Sequence, residues 1–159
     1  MRDVEELESG PAHEVAVENA YRKATAVARD AGDSVVLGVD TVVSMGPRIH
    51  GKPADAADAR EMLVALSGRR HAVISGVCLV TPGGTKTAAA TTLVDFRALD
   101  DRLIDWYLET KEWCERAGGY AIQGRGAALV AGIEGDYSNV VGLPVTTLLE
   151  LMPGLLTGS

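Results

Sequence analysis

A carboxylate in the middle of an apolar run is the first feature of this chain that could do chemistry. Asp40 lies in VVLGVDTVV, residues 35–43, where apolar and β-branched side chains are interrupted only by Gly38, Asp40 and Thr41. So short and apolar a run predicts a buried strand, and an unpaired charge inside one is costly. Two readings follow. Either Asp40 caps a backbone amide at the strand's solvent mouth, or a metal, a cation or a proton accounts for its charge. Lys52 comes next, in Gly51-Lys52-Pro53 after the turn-rich Gly46-Pro47-Arg48. A hairpin at that turn returns the ammonium to the same end of the sheet as the carboxylate. Such a pairing suits a magnesium-bound phosphate compound.

The same stretch imitates a different phosphate site. Gly46 to Lys52 reads GPRIHGK, the GxxxxGK of a P-loop following a strand. The next residue is Pro53, which has neither a hydroxyl for magnesium nor an N–H for phosphate, and Pro47 removes an amide inside the cradle. The P-loop reading fails where its mechanics matter.

The elements that must position these groups follow from the pattern. His13 to Arg29 predicts a helix with Val17, Tyr21, Ala24 and Ala28 on its inner stripe and Lys23 as its lysine, by itself a solvated charge. Ala31-Gly32-Asp33 turns the chain into the Asp40 strand. A second helix runs from near Asp55 to Ser67-Gly68, with Ala56, Ala59, Leu63 and Leu66 inward. His71–Val80 and Thr87–Phe96 read as the two strands of a hairpin around Thr81-Pro82-Gly83-Gly84. Asp100 caps a short helix carrying Leu103, Ile104, Tyr107 and Leu108.

Residues 116–126, RAGGYAIQGRG, place four glycines and two alanines around Tyr120 and Gln123. Either the backbone there approaches something closely, or the segment is a tight connection between strands. Ala127–Ile133 predicts a further strand, and Pro144 starts a last helix ending near Leu151. Helices alternating with apolar strands indicate an α/β fold, a twisted sheet flanked by helices and mixed because of the hairpin.

Composition narrows the partners. At 159 residues the chain reads as one domain over 1–159, with 47% apolar residues but only 4% aromatic, so Val, Ala and Leu must build the core. A net charge of −7 argues against a nucleic-acid polymer or an acidic membrane as partner. Cys78 and Cys114 lack CxxC spacing and read as small buried residues of a reducing, cytoplasmic protein. No apolar run reaches membrane-spanning length, and Met1-Arg2-Asp3-Val4-Glu5-Glu6 is not a signal-peptide pattern.

GVDTVV, GKP and AGGYAIQG, closed by GDYSNVVGLP, resemble the Maf family of nucleoside triphosphate pyrophosphatases. That family reads ADTVV, GKP, a helix ending in LSG, a strand opening on His, KAGAYGIQG and NVVGLP. This chain also supplies Leu66-Ser67-Gly68 and His71, and the likeness runs in order from about Val4 to Leu151.

The resemblance implies cleavage of a nucleoside triphosphate between the α and β phosphates, yielding a monophosphate and pyrophosphate, with a divalent cation, Mg2+ or Mn2+. Asp40 corresponds to the family's acidic catalytic residue, as base, metal ligand or both. Glu6 falls on an acidic residue that would assist the metal. Lys23 and Lys52 match the lysines that surround the phosphates, and Arg116 stands where the family has a substrate-binding lysine. Thr41 and Gln123 match the pair that marks the subgroup acting on dTTP and UTP.

The family also opens with a strand and a SxSPRR loop whose serine and arginines bind phosphate. This chain shows no counterpart and reads as N-terminally truncated against that pattern. An open sheet edge left by such a loss is expected to favour self-association, and the family commonly forms homodimers. A resemblance of this kind leaves a rival expectation standing, a non-catalytic nucleotide-binding homologue tied to septum formation.

Overall fold

The computed structural model describes residues 4–158. The reading of Met1–Asp3 as no part of a leader therefore lies outside the described residues. Five strands form one sheet: β1 (Val36–Met45), β2 (Arg48–His50), β3 (Arg70–Thr81), β4 (Gly84–Phe96) and β5 (Val130–Glu134). Their order is β2-β1-β3-β4-β5. Every described ladder is antiparallel. A mixed sheet was expected because of the hairpin. The α/β character holds and the hairpins β1–β2 and β3–β4 are antiparallel, as tight turns require, but β1–β3 and β4–β5, joined by longer connections, are antiparallel too.

Five helices flank the sheet: α1 (Ala12–Ala28), α2 (Ala56–Leu66), α3 (Asp101–Glu109), α4 (Tyr137–Val141) and α5 (Val145–Leu151). Aspartates cap the starts of α2 and α3, the one at Asp100 as expected. Asp55 accepts from the Asp58 amide and Asp100 from the Leu103 amide, each satisfying a donor that the helix leaves orphaned. Short 3-10 turns at Ala117–Gly119 and Arg125–Leu129 take up part of the glycine-dense segment. The second of them takes the first residues assigned to the last strand, so β5 begins only at Val130. The five-residue α4 was not anticipated.

Alternate residues of β1 and β3 face two different layers. Val42 and Ile74 pack with Val15 and Ala16 of α1. Val43 and Val73, one position along, pack with Leu63 and Leu66 of α2, Ile104 and Tyr107 of α3, and Tyr120.

The α1 side is unusually tight. A Cβ on Gly38 would lie 2.4 Å from the Ala20 carbonyl oxygen, and one on Gly76 would lie 2.3 Å from that of Ala16. The helix turns its smallest side chains, Ala16, Ala20 and Ala24, to the sheet. This corrects the expected inner stripe: Tyr21 is 43% exposed, while Val15 and Asn19 are buried instead. Bulk was read as the mark of the inner face, but here close approach demands its absence.

Cys78 is buried as expected, whereas Cys114 is exposed. No described helix is long and apolar enough to cross a membrane.

Candidate active site

Asp40 sits in mid-strand, 8% exposed, on the face that α1 covers. Its cross-strand neighbour on β3 is Gly76. With no side chain at Gly38 or Gly76, α1 lies close enough for two of its residues, one turn apart, to reach the carboxylate. Lys23 Nζ donates to Asp40 Oδ1 at 2.9 Å, and Asn19 Nδ2 to Oδ2 at 3.3 Å. A cation thus accounts for the buried charge, which decides between the two readings of Asp40: it is not a cap at a strand mouth.

Lys23 also contacts Glu6 Oε1 at 3.2 Å. Burial would lower the lysine's pKa, but Asp40 and Glu6 outweigh it and hold it above the ordinary value, so the ammonium stays charged. Asn19 fixes the segment that brings Glu6 here. Its Oδ1 accepts from the Leu7 amide at 2.7 Å, and its Nδ2 donates to the Leu7 carbonyl at 3.1 Å.

The β1–β2 hairpin carries the chain back to Lys52 as expected. Residues 46–52 form a turn and an antiparallel strand, and α2 starts only at Ala56. They are not the strand–loop–helix cradle of a P-loop. Lys52 is half-exposed and pairs with the exposed Glu115 at 3.7 Å. The Gly118 amide donates to the Gly51 carbonyl at 3.1 Å, joining the GKP turn to the glycine-dense segment. Gly118 has a φ of 74° and its Cβ would meet Val43 at 2.8 Å. Of the two readings of this segment, close backbone approach is the one observed.

On the other face of β1 from Asp40, Thr41 shares a hydrogen bond of 2.8 Å with Ser75, its cross-strand neighbour. Beside it α4 is pinned to the sheet by the buried Asn139, whose Nδ2 donates to the Val73 carbonyl and to Thr92 Oγ1, both at 3.1 Å. That pin sets Val140, Val141 and Gly142 along the rim of a cavity of about 190 Å³.

Six of the seven residues singled out by sequence line this cavity: Lys23, Asp40, Thr41, Lys52, Arg116 and Gln123. Glu6, the seventh, lines an adjoining cavity of about 360 Å³ that shares Asp40, Thr41 and Lys52. Gln123 and Arg116 are exposed.

Tyr120 forms part of the cavity wall, and His71 backs it with Nε2 2.7 Å from the phenolic oxygen. Burial, and then the charge of His50, push His71 down to about 4, so the imidazole is neutral near pH 7.

Sequence reasoning missed Asn19, Ser75 and the His71–Tyr120 pair. Only Asn19 left a signal, an amide one helical turn before Lys23 on a face otherwise made of Val15 and alanines.

The family described as Maf-like protein matches residues 2–155. The chain is 45% identical to a dTTP/UTP pyrophosphatase of Pyrococcus furiosus over 87% of its own length and 73% of that protein's. The corresponding figures for a dTTP/UTP pyrophosphatase of Bacillus cytotoxicus are 48%, 89% and 74%. For one of Deinococcus radiodurans they are 42%, 92% and 75%. With the family's motifs gathered around one strand and matching along nearly its whole length, this chain belongs to the Maf-like protein family.

Proposed function

We propose that this protein is a nucleoside triphosphate pyrophosphatase that hydrolyses dTTP and UTP to the monophosphate and pyrophosphate. The observation that carries this reading is the gathering of Asp40, Lys23, Lys52, Arg116, Thr41 and Gln123 around one cavity. The activity in the names of the relatives supports it.

Cleaving a phosphoanhydride in water requires an aligned, deprotonated water and positive charge around the phosphates. Asp40 accepts the water's proton. Lys23 holds that carboxylate in a single orientation, and Lys52 and Arg116 face the phosphates. Gln123 offers a donor and an acceptor that match O4 and N3–H of a uracil or thymine ring. An amide alone can turn over to suit cytosine. Discrimination therefore needs a second polar group beside it, and Thr41, whose hydroxyl shares a hydrogen bond with Ser75, supplies it.

A divalent cation, Mg2+ or Mn2+, fits this donor set as a partner of the substrate rather than as a caged ion. No group of three or more His, Cys, Asp or Glu converges among the described residues. Two carboxylates, Asp40 and Glu6, meet on the Lys23 ammonium. One or two carboxylates plus substrate phosphates is how magnesium is commonly held in phosphate-handling enzymes. Bound there, the cation would neutralise phosphate charge and acidify water.

A homodimeric, cytoplasmic enzyme completes the proposal. Two observations support it: residues 36–42 of β1 have a strand neighbour only on the β3 side among the described residues, and both cysteines are free.

The test is pyrophosphate release over dTTP, UTP, CTP, ATP and GTP with Mg2+ or Mn2+. dTTP and UTP should lead, and Gln123→Ala should flatten that preference more than it lowers the best rate. A profile led by purines overturns the assignment. Nucleotide binding without release of pyrophosphate from any of the five would instead support the non-catalytic reading.

A further inference from the structure

The geometry points to Glu112 and Tyr107 as positioning residues that clamp the segment carrying Gln123 and so set base discrimination, an inference that rests on the function proposed above.

Gln123 cannot hold its own place. Its side chain is exposed, and no partner holds its amide among the described residues. Where that amide sits is therefore decided by the backbone on either side. On the N-terminal side the Ala121 amide donates to the Tyr107 hydroxyl at 2.9 Å. On the C-terminal side the Arg125 amide donates to Glu112 Oε2 at 3.0 Å and the Gly126 amide to Oε1 at 3.2 Å. The two anchors are themselves joined, Tyr107 Oη donating to Glu112 Oε1 at 3.2 Å. Gln123 is thus bracketed by one continuous network that begins in the core, where Tyr107 is fully buried.

The carboxylate is placed as carefully as the loop it holds. Lys111, at a φ of 59°, reverses the chain after α3. The Glu112 amide then donates to Thr110 Oγ1 at 3.1 Å, and Trp113 Nε1 donates to the Leu108 carbonyl at 2.9 Å. The loop fits around it without slack. A Cβ on Gly124 would lie 2.7 Å from the Glu112 oxygens, and one on Gly126 would lie 2.2 Å from the Ala121 carbonyl. Burial would raise the Glu112 carboxyl, but the Arg125 and Gly126 amides outweigh it and hold it below the ordinary value, so an ionised acceptor faces its three donors.

The experiment uses the full chain with Glu112→Ala, Glu112→Gln, Tyr107→Phe and Gln123→Ala, and the double variant of Glu112→Ala with Gln123→Ala. Each is assayed for kcat/KM on dTTP and on CTP, and for amide hydrogen exchange over residues 121–126 against β3. Glu112→Ala should lower the dTTP-to-CTP ratio on the order of tenfold, since misplacing a contact group by about 1 Å can cost on the order of 10²-fold. Exchange should rise at 121–126 and not in β3. Glu112→Gln, which keeps one acceptor oxygen, should restore part of the ratio, and Tyr107→Phe should lose less than Glu112→Ala.

Once Gln123 is alanine, removing Glu112 should cost the ratio nothing more, because the clamp acts through that side chain. A ratio that survives Glu112→Ala overturns the proposal, and so does a loss that simply adds to that of Gln123→Ala. If the wild type itself shows no preference for dTTP, the function proposed above fails, and hydrogen exchange alone decides the clamp: unchanged exchange at 121–126 in Glu112→Ala refutes it. Should Glu112→Ala not fold, Glu112→Gln and Tyr107→Phe carry the same comparison.

Discussion

Gly76→Ala adds one methyl group at the point where helix and sheet come closest, and so tests whether the site depends on that approach. Gly76 stands opposite Asp40 on the neighbouring strand. The added Cβ would lie 2.3 Å from the carbonyl carbon and oxygen of Ala16 and 2.5 Å from the Val17 nitrogen, where ordinary contact begins at 3.4 Å. All three obstructing atoms are backbone, so no side chain can turn away to make room. α1 must lift by about 1 Å, and overpacking of this kind costs roughly 1–3 kcal/mol. In a chain of this size that corresponds to a fall in Tm of roughly 2–12 °C.

The displacement falls on the two contacts that orient Asp40. Asn19 reaches the carboxylate at 3.3 Å through a short side chain and loses it first; Lys23, at 2.9 Å on a long stem, can follow part of the way. A loss in kcat/KM on the order of 10²-fold is expected from a shift of about 1 Å in a positioning group. Thermal unfolding and pyrophosphate release are measured together, with Gly132→Ala on β5 as the control, since a Cβ there meets nothing within 4 Å. A Gly76→Ala variant with wild-type Tm and wild-type kcat/KM would refute the dependence of the site on helix–sheet contact.

Asp40→Asn should lower turnover on the order of 10²- to 10⁴-fold, as for a lost general base, with the fold retained because Lys23 keeps Glu6; unchanged pyrophosphate release would make Asp40 purely structural. Acid should destabilise the fold through His71. Its folded pKa of about 4 lies below the ordinary imidazole value of 6.5, so its contribution is complete above pH 6.5 and is lost as the pH falls toward 4. The full difference is worth on the order of 3 kcal/mol. His71→Gln should flatten that part of the curve of Tm against pH, and an undiminished slope would remove His71 as its cause.

Much of the fold was legible because its signals are local. The β-branched run around Asp40, the turn at Gly46-Pro47 and the aspartate caps at Asp55 and Asp100 each act within a few residues, and each produced the expected element. The inner face of α1 was not legible. It depends on small residues at 16, 20 and 24 meeting glycines at 38 and 76, a complementarity between segments that no single window displays. Strand direction was legible only where it is local: the hairpins at Gly46 and Gly83 are antiparallel as expected, while β1–β3 and β4–β5, joined by longer connections, are antiparallel where a mixed sheet was expected. Within the site, the charged residues were found because their motifs are contiguous. Ser75 and Glu112 were not, since a serine in a strand and a glutamate after a helix acquire meaning only from what the fold sets against them.

The two lysines carried by those motifs sit in unlike settings, and this separates their parts in the proposed reaction. A chain of net charge −7 must assemble positive charge locally if it is to hold a triphosphate. The Lys23–Asp40 pair is largely screened from water, with side chains 28% and 9% exposed, and Asn19 holds the second carboxylate oxygen. Removing Lys23 would strand the buried Asp40 carboxylate, so this pair belongs to the fixed frame of the site. Lys52 and Glu115 are 57% and 85% exposed and 3.7 Å apart, an arrangement worth little in water. Lys52 can therefore leave Glu115 for an arriving phosphate at small cost, whereas Lys23 cannot leave Asp40. The reaction then needs one lysine of each kind: one holds the proton acceptor still, and the other moves to the phosphates.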